Sequence, residues 1–115
     1  MTHSVDIERL AEILRAAAKA EIMPRFRNLS DADIREKTSA TDFVTEADEA
    51  AERFIARECG ALAPGALFVG EESVAANTGL FDQLDGAELA IVVDPIDGTA
   101  NFAAGLPLFA VMAAV

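Results

Sequence analysis

The stretch Val92-Val93-Asp94-Pro95-Ile96-Asp97-Gly98-Thr99 joins a buried strand to paired negative charge. The apolar run from Leu89 to Val93 predicts a buried β-strand by its length and its flanking residues. Two carboxylates follow it, three residues apart, with a proline between them and a glycine after them. Because Pro95 fixes φ and lacks an N–H, we expect the chain to turn after Asp94 and bring Asp97 back beside it.

A second apolar run also ends in acidic residues. Residues 66–69, Ala-Leu-Phe-Val, predict another short buried strand, and Gly70-Glu71-Glu72-Ser73 follows it. If the two strands are neighbours in one sheet, Glu71, Asp94 and Asp97 converge at the edge where open α/β sheets place ligands. Like charges about 4 Å apart repel by about 4 kcal/mol at an effective dielectric constant near 20. Either one carboxyl group is therefore protonated, or cations lie among them.

The donor atoms available at this edge are all oxygens. His3 is the only histidine and lies in the N-terminal tail, and Cys59 is the only cysteine. Carboxylates and a carbonyl such as that of Ile96 favour magnesium or manganese over zinc. Gly98 permits a positive φ, and a helix beginning after it would present free amides to a phosphate. The Thr99 hydroxyl is then placed to orient a water molecule.

Two helices are predicted in the first half of the chain. The first has Ser4 as N-cap, ends near Met23 because Pro24 follows, and places one apolar face toward the core: Ile7, Leu10, Ala11, Leu14, Ala17, Ala18 and Ile22. The second begins at a capping box formed by Thr45 and Asp48 and is ended by Gly60 and Pro64. Its apolar face is Ala47, Ala50, Ala51, Phe54 and Ile55.

The remaining segments complete a layered α/β or α+β pattern. Residues 25–41 are polar and predict a loop or short strand, and residues 74–86 predict a connection with one helical turn. Residues 108–115 predict a third buried strand, and no turn residues follow it. Such a strand needs neighbours, so we expect residues 1–115 to be the N-terminal part of one longer domain, truncated at its C-terminus.

Composition excludes several classes of function. The 115 residues carry a net charge of -11, which disfavours nucleic acids and anionic membrane surfaces as partners. Gly105 and Pro107 interrupt the apolar C-terminal stretch, so we expect no membrane span. The single cysteine, which we expect in the core, excludes an internal disulfide and favours the cytoplasm.

Three motifs in order, "TDFVTEAD" at 41–48, "GEES" at 70–73 and "DPIDGTANF" at 94–102, give the chain a recognisable pattern. It resembles the inositol monophosphatase family, within the lithium-sensitive, magnesium-dependent sugar phosphatases. The resemblance implies an α+β fold, a layered α-β-α-β-α sandwich of which this is the N-terminal portion. It also implies a homodimer that hydrolyses a phosphate monoester of a small polyol or sugar with two or three Mg²⁺ ions, or Mn²⁺.

The resemblance also implies roles for individual residues. Glu71, Asp94 and the Ile96 carbonyl would bind one metal ion, and Asp97 a second. Gly98 and Thr99 would bind phosphate. Thr99 and Asp48 would orient the attacking water, and these two residues with Glu71 would be the catalytic residues. Three more residues match family positions near the site: Glu72, Lys37 and Asp42. The family's downstream Trp-Asp segment, which supplies a further aspartate ligand, does not occur in these residues, which contain no tryptophan.

Several alternatives stay open at this point. Asp48 can serve only the capping box, Lys37 can be a solvated surface charge, and Glu72 should point away from Glu71 if the segment is extended. Asp94 and Asp97 can also belong to an ordinary turn. The chain can be a non-catalytic metal- or phosphate-binding module. Within the enzyme class, histidinol phosphate, fructose bisphosphate and phosphoadenosine phosphate remain alternative substrates.

Overall fold

The computed structural model describes residues 4–36 and 43–115. In chain order its helices and strands are α1 Ile7–Ala17, β1 Ile34–Glu36, β2 Phe43–Thr45, α2 Glu46–Leu62, β3 Leu67–Gly70, α3 Glu71–Ala76, β4 Ala90–Asp97, α4 Thr99–Ala103 and β5 Ala110–Ala114. A π-helical turn, Ala18–Ile22, extends α1, and 3-10 turns lie at Met23–Arg25, Asp31–Asp33 and Thr78–Gly86. No helix in these residues is both long and apolar enough to cross a membrane.

The central sheet has three strands in the order β3-β4-β5. β3 and β4 are parallel, with Gly70 opposite Val93, and β5 is antiparallel to β4. The expectation that the two acidic strand ends are neighbours in one sheet is therefore confirmed. β1 and β2 form a separate antiparallel pair.

The core lies between one face of this sheet and the first two helices. Ile91 and Val93 of β4 point into it and pack against five buried residues of α1 and α2: Leu10, Ile13, Ala17, Ile55 and Cys59. Cys59 is 2% exposed, as a small core residue should be, and its burial raises the pKa of the thiol. The two long helices, α1 and α2, pack on one face of this mixed sheet, in agreement with the predicted α+β class.

The helix ends differ from the predictions in two places. Asp6, and not Ser4, is the N-cap of α1, and its carboxylate accepts a hydrogen bond from the Arg9 N–H at 3.1 Å. Ile7, predicted on the apolar face of this helix, lies in its first turn and is 60% exposed, so the buried part of that face begins at Leu10. α2 continues past Gly60 to Leu62, since an exposed glycine weakens a helix without ending it.

Near the acidic strand ends, two expectations are wrong. Glu71 and Glu72 are the first residues of α3, so they do not point apart as they would in a strand. β4 does not turn after Asp94 but continues to Asp97. The pairing with β5 shifts between Asp94 and Asp97, where β4 has one residue more than its partner. This bulge accommodates Pro95, which cannot donate to the ladder.

Candidate metal and phosphate site

Glu71 and Asp94 leave the sheet side by side. Each directly follows one residue of the register pair Gly70 and Val93, so the parallel pairing of β3 and β4 brings both side chains to the same edge. The two carboxyl groups interact, because Glu71 is among the causes that raise the pKa of Asp94. Glu71 is exposed and Asp94 is half-buried, so the pair lies at the mouth of the site.

The surroundings of Asp94 disfavour its ionised form. Its pKa rises from 3.8 to about 8 because of burial first, then the hydrogen bond with Glu71, then the negative charges of Glu71, Asp97 and Asp48. Its Oδ1 atom is buried and has no hydrogen-bond partner. A buried acceptor without a partner costs free energy. The Oδ1 atom of Asp94 is therefore available to accept a hydrogen bond or to bind a cation.

Asp48 lies on the other side of the site and connects two elements. Its Oδ2 accepts hydrogen bonds from the Thr45 N–H at 2.8 Å and the Thr45 hydroxyl at 2.5 Å, which completes the predicted capping box of α2. Its Oδ1 accepts from the Thr99 hydroxyl at 2.8 Å. Asp48 is 1% exposed. The capping role and a contact with the candidate site therefore coexist in one side chain.

The segment from Asp97 to Thr99 turns the chain from β4 into α4. Gly98 has a φ of +90° and is the residue before α4, as the sequence predicts for a glycine at that position. A Cβ at Gly98 would lie 2.8 Å from the Leu108 carbonyl oxygen. The Thr99 hydroxyl also lies 3.0 Å from the Ile96 carbonyl oxygen. Asp97 is exposed at the end of β4.

An apolar cluster beneath the site holds these elements together. It contains residues of α2, β4 and α4: Ala47, Ala51, Ile96 and Phe102, together with Ile22. Phe102 is fully buried, and its ring meets that of Phe109 edge-on with centroids 5.0 Å apart. The side chains beside Asp48, Asp97 and Thr99 are thus packed rigidly against each other.

Not every predicted site residue joins this arrangement. Lys37 and Asp42 lie outside the described residues. Glu72 follows Glu71 in α3, and its backbone N–H donates to Glu52 at 2.7 Å. In the part of the chain that the structure describes, no three acidic, histidine or cysteine side chains form a ready-made metal cluster. The site thus consists of the Glu71–Asp94 pair with Asp97 and Asp48 near enough to act on it electrostatically.

One residue at this site was missed in the sequence. Glu52 is 6% exposed, and its carboxylate binds the backbone at the start of α3. A signal for it exists in the sequence, because Glu52 follows Asp48 by four residues and lies on the same buried side of α2 as Ala51 and Ile55. An acidic residue within a buried helix stripe predicts a specific partner.

Comparison with known proteins decides the family. The model of the inositol monophosphatase family matches residues 6–115. The chain belongs to the inositol monophosphatase family. This confirms the resemblance drawn from the three motifs, and the phosphatase names of related proteins agree with it.

Two relatives of this inositol monophosphatase family member are similar to it over nearly the whole chain. The histidinol-phosphatase of Streptomyces coelicolor is 37% identical over 115 residues, which are 100% of this chain and 40% of that protein. Inositol monophosphatase 1 of Sus scrofa is 37% identical over 112 residues, 96% of this chain and 36% of that protein. The chain therefore spans about two fifths of these relatives' length.

The solved structures agree on the fold. The IMPase of Thermotoga maritima superposes with a TM-score of 0.72 at 28% identity, over 94% of this chain and 38% of that one. This likeness confirms the fold class as that of the inositol monophosphatase family.

Proposed function

We propose that the protein to which these residues belong is a magnesium-dependent phosphomonoesterase that acts on a small phosphorylated polyol or sugar. The observation that supports this most is the buried, unpartnered Oδ1 of Asp94 beside Glu71, at the shared end of two strands. Family membership supplies the reaction class.

The donor set fits a hard divalent cation in its chemistry. Asp94, Glu71, Asp97 and the Ile96 carbonyl offer only oxygens, which Mg²⁺ and Mn²⁺ prefer. A bound cation would give the unpartnered Asp94 oxygen a partner. It would also offset the negative charges that raise the pKa of Asp94. We propose that Glu71, Asp94 and the Ile96 carbonyl hold one ion and that Asp97 holds a second. When bound, magnesium supplies positive charge and Lewis acidity toward phosphoryl and water oxygens.

The Thr99–Asp48 pair is proposed to orient the attacking water. A hydroxyl has one proton, and that of Thr99 is directed to the Asp48 Oδ1 at 2.8 Å. The Thr99 oxygen is then free to accept a hydrogen bond from water, which turns a lone pair of that water toward the phosphorus. Gly98 and Thr99, at the start of α4, are proposed to bind the phosphate oxygens through backbone amides.

The substrate is proposed at the level of a class. The names of the relatives point to inositol and histidinol phosphates, which share a phosphate monoester on a small polar alcohol. A panel of four substrates covers the alternatives: inositol monophosphate, histidinol phosphate, fructose 1,6-bisphosphate and phosphoadenosine phosphate.

The first prediction tests the activity with Asp94→Asn. The variant keeps the shape of the side chain but removes the charge that a cation requires. In the complete protein we expect phosphate release to fall by about a hundredfold or more, as is typical when a group that supports a metal ion or stabilises charge is removed. The measurement is phosphate release with Mg²⁺ across the panel. Asp82→Asn, an exposed aspartate of the Thr78–Gly86 turn, is the matched control.

Three outcomes separate the hypotheses. Loss of phosphate release in Asp94→Asn with normal release in Asp82→Asn supports the proposal. Normal release in Asp94→Asn contradicts the assignment of this carboxylate. Magnesium binding by the wild-type protein without release from any of the four substrates supports the alternative of a non-catalytic binding module.

A further inference from the structure

The carboxylate of Glu52 ties helix α2 to the turn that carries Glu71. Its Oε1 accepts a hydrogen bond from the Glu72 N–H at 2.7 Å. Its Oε2 accepts from the Ser73 N–H at 2.8 Å and from the Ser73 hydroxyl at 2.6 Å. Both carboxylate oxygens are thus used, and all three donors belong to the two residues that follow Glu71.

These bonds perform the task that an N-cap side chain normally performs. The residue before α3 is Gly70, which has no side chain and makes no capping hydrogen bond. The first amides of a helix have no partner within it. Glu52 satisfies two of them from 20 and 21 residues away. The beginning of α3, and therefore the position of Glu71 as its first residue, depends on a side chain of another helix.

Gly70 leaves the room that this contact needs. A Cβ built on Gly70 would lie 2.2 Å from the Glu52 Cδ and 2.3 Å from its Oε1. No real Cβ is that close to another heavy atom, so a larger residue would displace the carboxylate. Gly70 has a φ of −103°, which any residue adopts, so the requirement for glycine comes from Glu52 and not from the backbone.

Glu52 also connects the two sides of the candidate site. It follows Asp48 by four residues on α2, so the two carboxylates lie one turn apart on one face of the helix. Asp48 bonds to Thr99 at the start of α4, and Glu52 bonds to the start of α3. One helix face therefore sets the distance between the residue proposed to orient water and the residue proposed to bind metal.

We propose that Glu52 is a positioning residue that holds Glu71 in place to bind the metal ion. The proposal rests on the proposed function, because it takes Glu71 as a metal ligand. Glu52 itself is turned toward the backbone amides and acts only through Glu71. Removing it should weaken metal binding while leaving the chemistry intact once metal is bound.

The second prediction uses Glu52→Gln in the complete protein. The variant keeps the size of the side chain but replaces one acceptor with an NH₂ group, which faces an N–H donor and forces the turn to open. We expect Mn²⁺ binding, measured by electron paramagnetic resonance without substrate, to weaken about tenfold to a hundredfold, as is typical for partners of metal ligands. We expect kcat at saturating Mg²⁺ to stay near the wild-type value.

The control and the second variant use neighbouring positions. Glu49→Gln, on the same helix, removes a half-exposed carboxylate paired with Arg35 and Arg53 and should bind Mn²⁺ like the wild type. In Gly70→Ala, the added Cβ displaces the Glu52 carboxylate from the amides of α3 without changing Glu52 itself. This variant should therefore bind Mn²⁺ as weakly as Glu52→Gln. A merely structural defect would lower activity at every metal concentration and would not be rescued by excess metal.

A double-mutant cycle identifies the route of the effect. If Glu52 acts through Glu71, then Glu52→Gln should weaken Mn²⁺ binding in the wild type but not in a Glu71→Gln background. Equal weakening in both backgrounds, or binding by Glu52→Gln equal to that by Glu49→Gln, overturns this proposal alone. A wild-type protein that binds no Mn²⁺ and releases no phosphate overturns the proposed function, and this inference with it.

Discussion

At the scale of single residues, Thr99 and Asp48 show how one contact serves two purposes. Asp48 is nearly fully buried, and it accepts hydrogen bonds from Thr45, the N-cap of α2, and from Thr99 across the site. The first contact stabilises the start of a helix. The second brings the Thr99 hydroxyl 2.8 Å from a carboxylate, a shorter contact than its 3.0 Å to the Ile96 carbonyl oxygen, and a hydroxyl that donates its one proton there keeps its oxygen as an acceptor. The sequence predicted the capping box, and the structure adds the second contact.

The third prediction compares Thr99→Val with Thr99→Ser in the complete protein. Valine keeps the shape but removes the hydroxyl, so the proposed water loses its orienting partner. We expect kcat to fall by about a hundredfold or more, the range of positioned proton-handling groups. Serine keeps the hydroxyl and should retain most of the activity. Steady-state phosphate release checks both variants, and equal activity of the two would remove Thr99 from the mechanism.

At the scale of elements, the turn from β4 into α4 depends on one glycine. Gly98 has a positive φ, and the Leu108 carbonyl oxygen occupies the space where a Cβ would be. The turn therefore combines a backbone conformation that side chains disfavour with a close approach of the chain before β5. Its geometry sets the position of Asp97 at the end of β4 relative to Thr99 at the start of α4.

The fourth prediction is that Gly98→Ala destabilises the protein. The left-handed conformation alone should lower the free energy of unfolding by about 1–3 kcal/mol, and the 2.8 Å contact with the Leu108 oxygen adds to it. Gly86→Ala is the control, because a Cβ there meets nothing within 4 Å. It should stay within about 0.5 kcal/mol of the wild type. Denaturant unfolding measures both, and similar values would contradict the argument.

The element-level predictions succeeded where the signal was local. The two apolar runs predicted β3 and β4, and Thr45 with Asp48 predicted the start of α2. They failed at Glu71, which was expected in an extended segment and is the first residue of α3. Gly70 provides no cap, so the local sequence does not indicate a helix. The cap comes from Glu52, which is distant in sequence; its place in a buried helix stripe indicates that it has a partner, but not that the partner is the start of α3.

At the scale of the whole molecule, four carboxyl groups of an acidic chain meet near one edge of the central sheet. The net charge is -11, and four carboxyl groups are close enough to interact: Glu71, Asp94, Asp97 and Asp48. Without a cation, the folded protein relieves this repulsion by keeping a proton on Asp94. Folding is therefore linked to pH through this group.

The fifth prediction concerns the metal-free protein in chelator. The pKa of Asp94 is about 8 in the folded state and 3.8 as an unperturbed group, so between these values the folded state binds more protons than the unfolded state. The contribution of Asp94 to stability is fully present below pH 3.8 and is lost as the pH rises through about 8. Denaturant unfolding at several pH values should show this decline in the wild type.

Asp94→Asn is the comparison for the same measurement, because it removes the titration of Asp94 together with its repulsion of Glu71, Asp97 and Asp48. The variant should lose the part of the pH dependence that belongs to Asp94, so the two stability curves should converge at low pH and separate toward pH 8. Parallel curves across the whole range would show that Asp94 is ionised in the folded protein.

The sequence by itself determined the strands β3 and β4, the helix α2 with its capping box, the glycine turn at Gly98 and the family. These features depend on periodicity, on caps or on backbone conformation within a few residues, so a local pattern is sufficient to predict them. Only the tertiary structure decided that Glu71 begins a helix, that the Pro95 segment is a bulge and that Asp94 has an unpartnered oxygen. Each of those depends on contacts between segments distant in the chain, and such contacts leave no pattern in the local sequence.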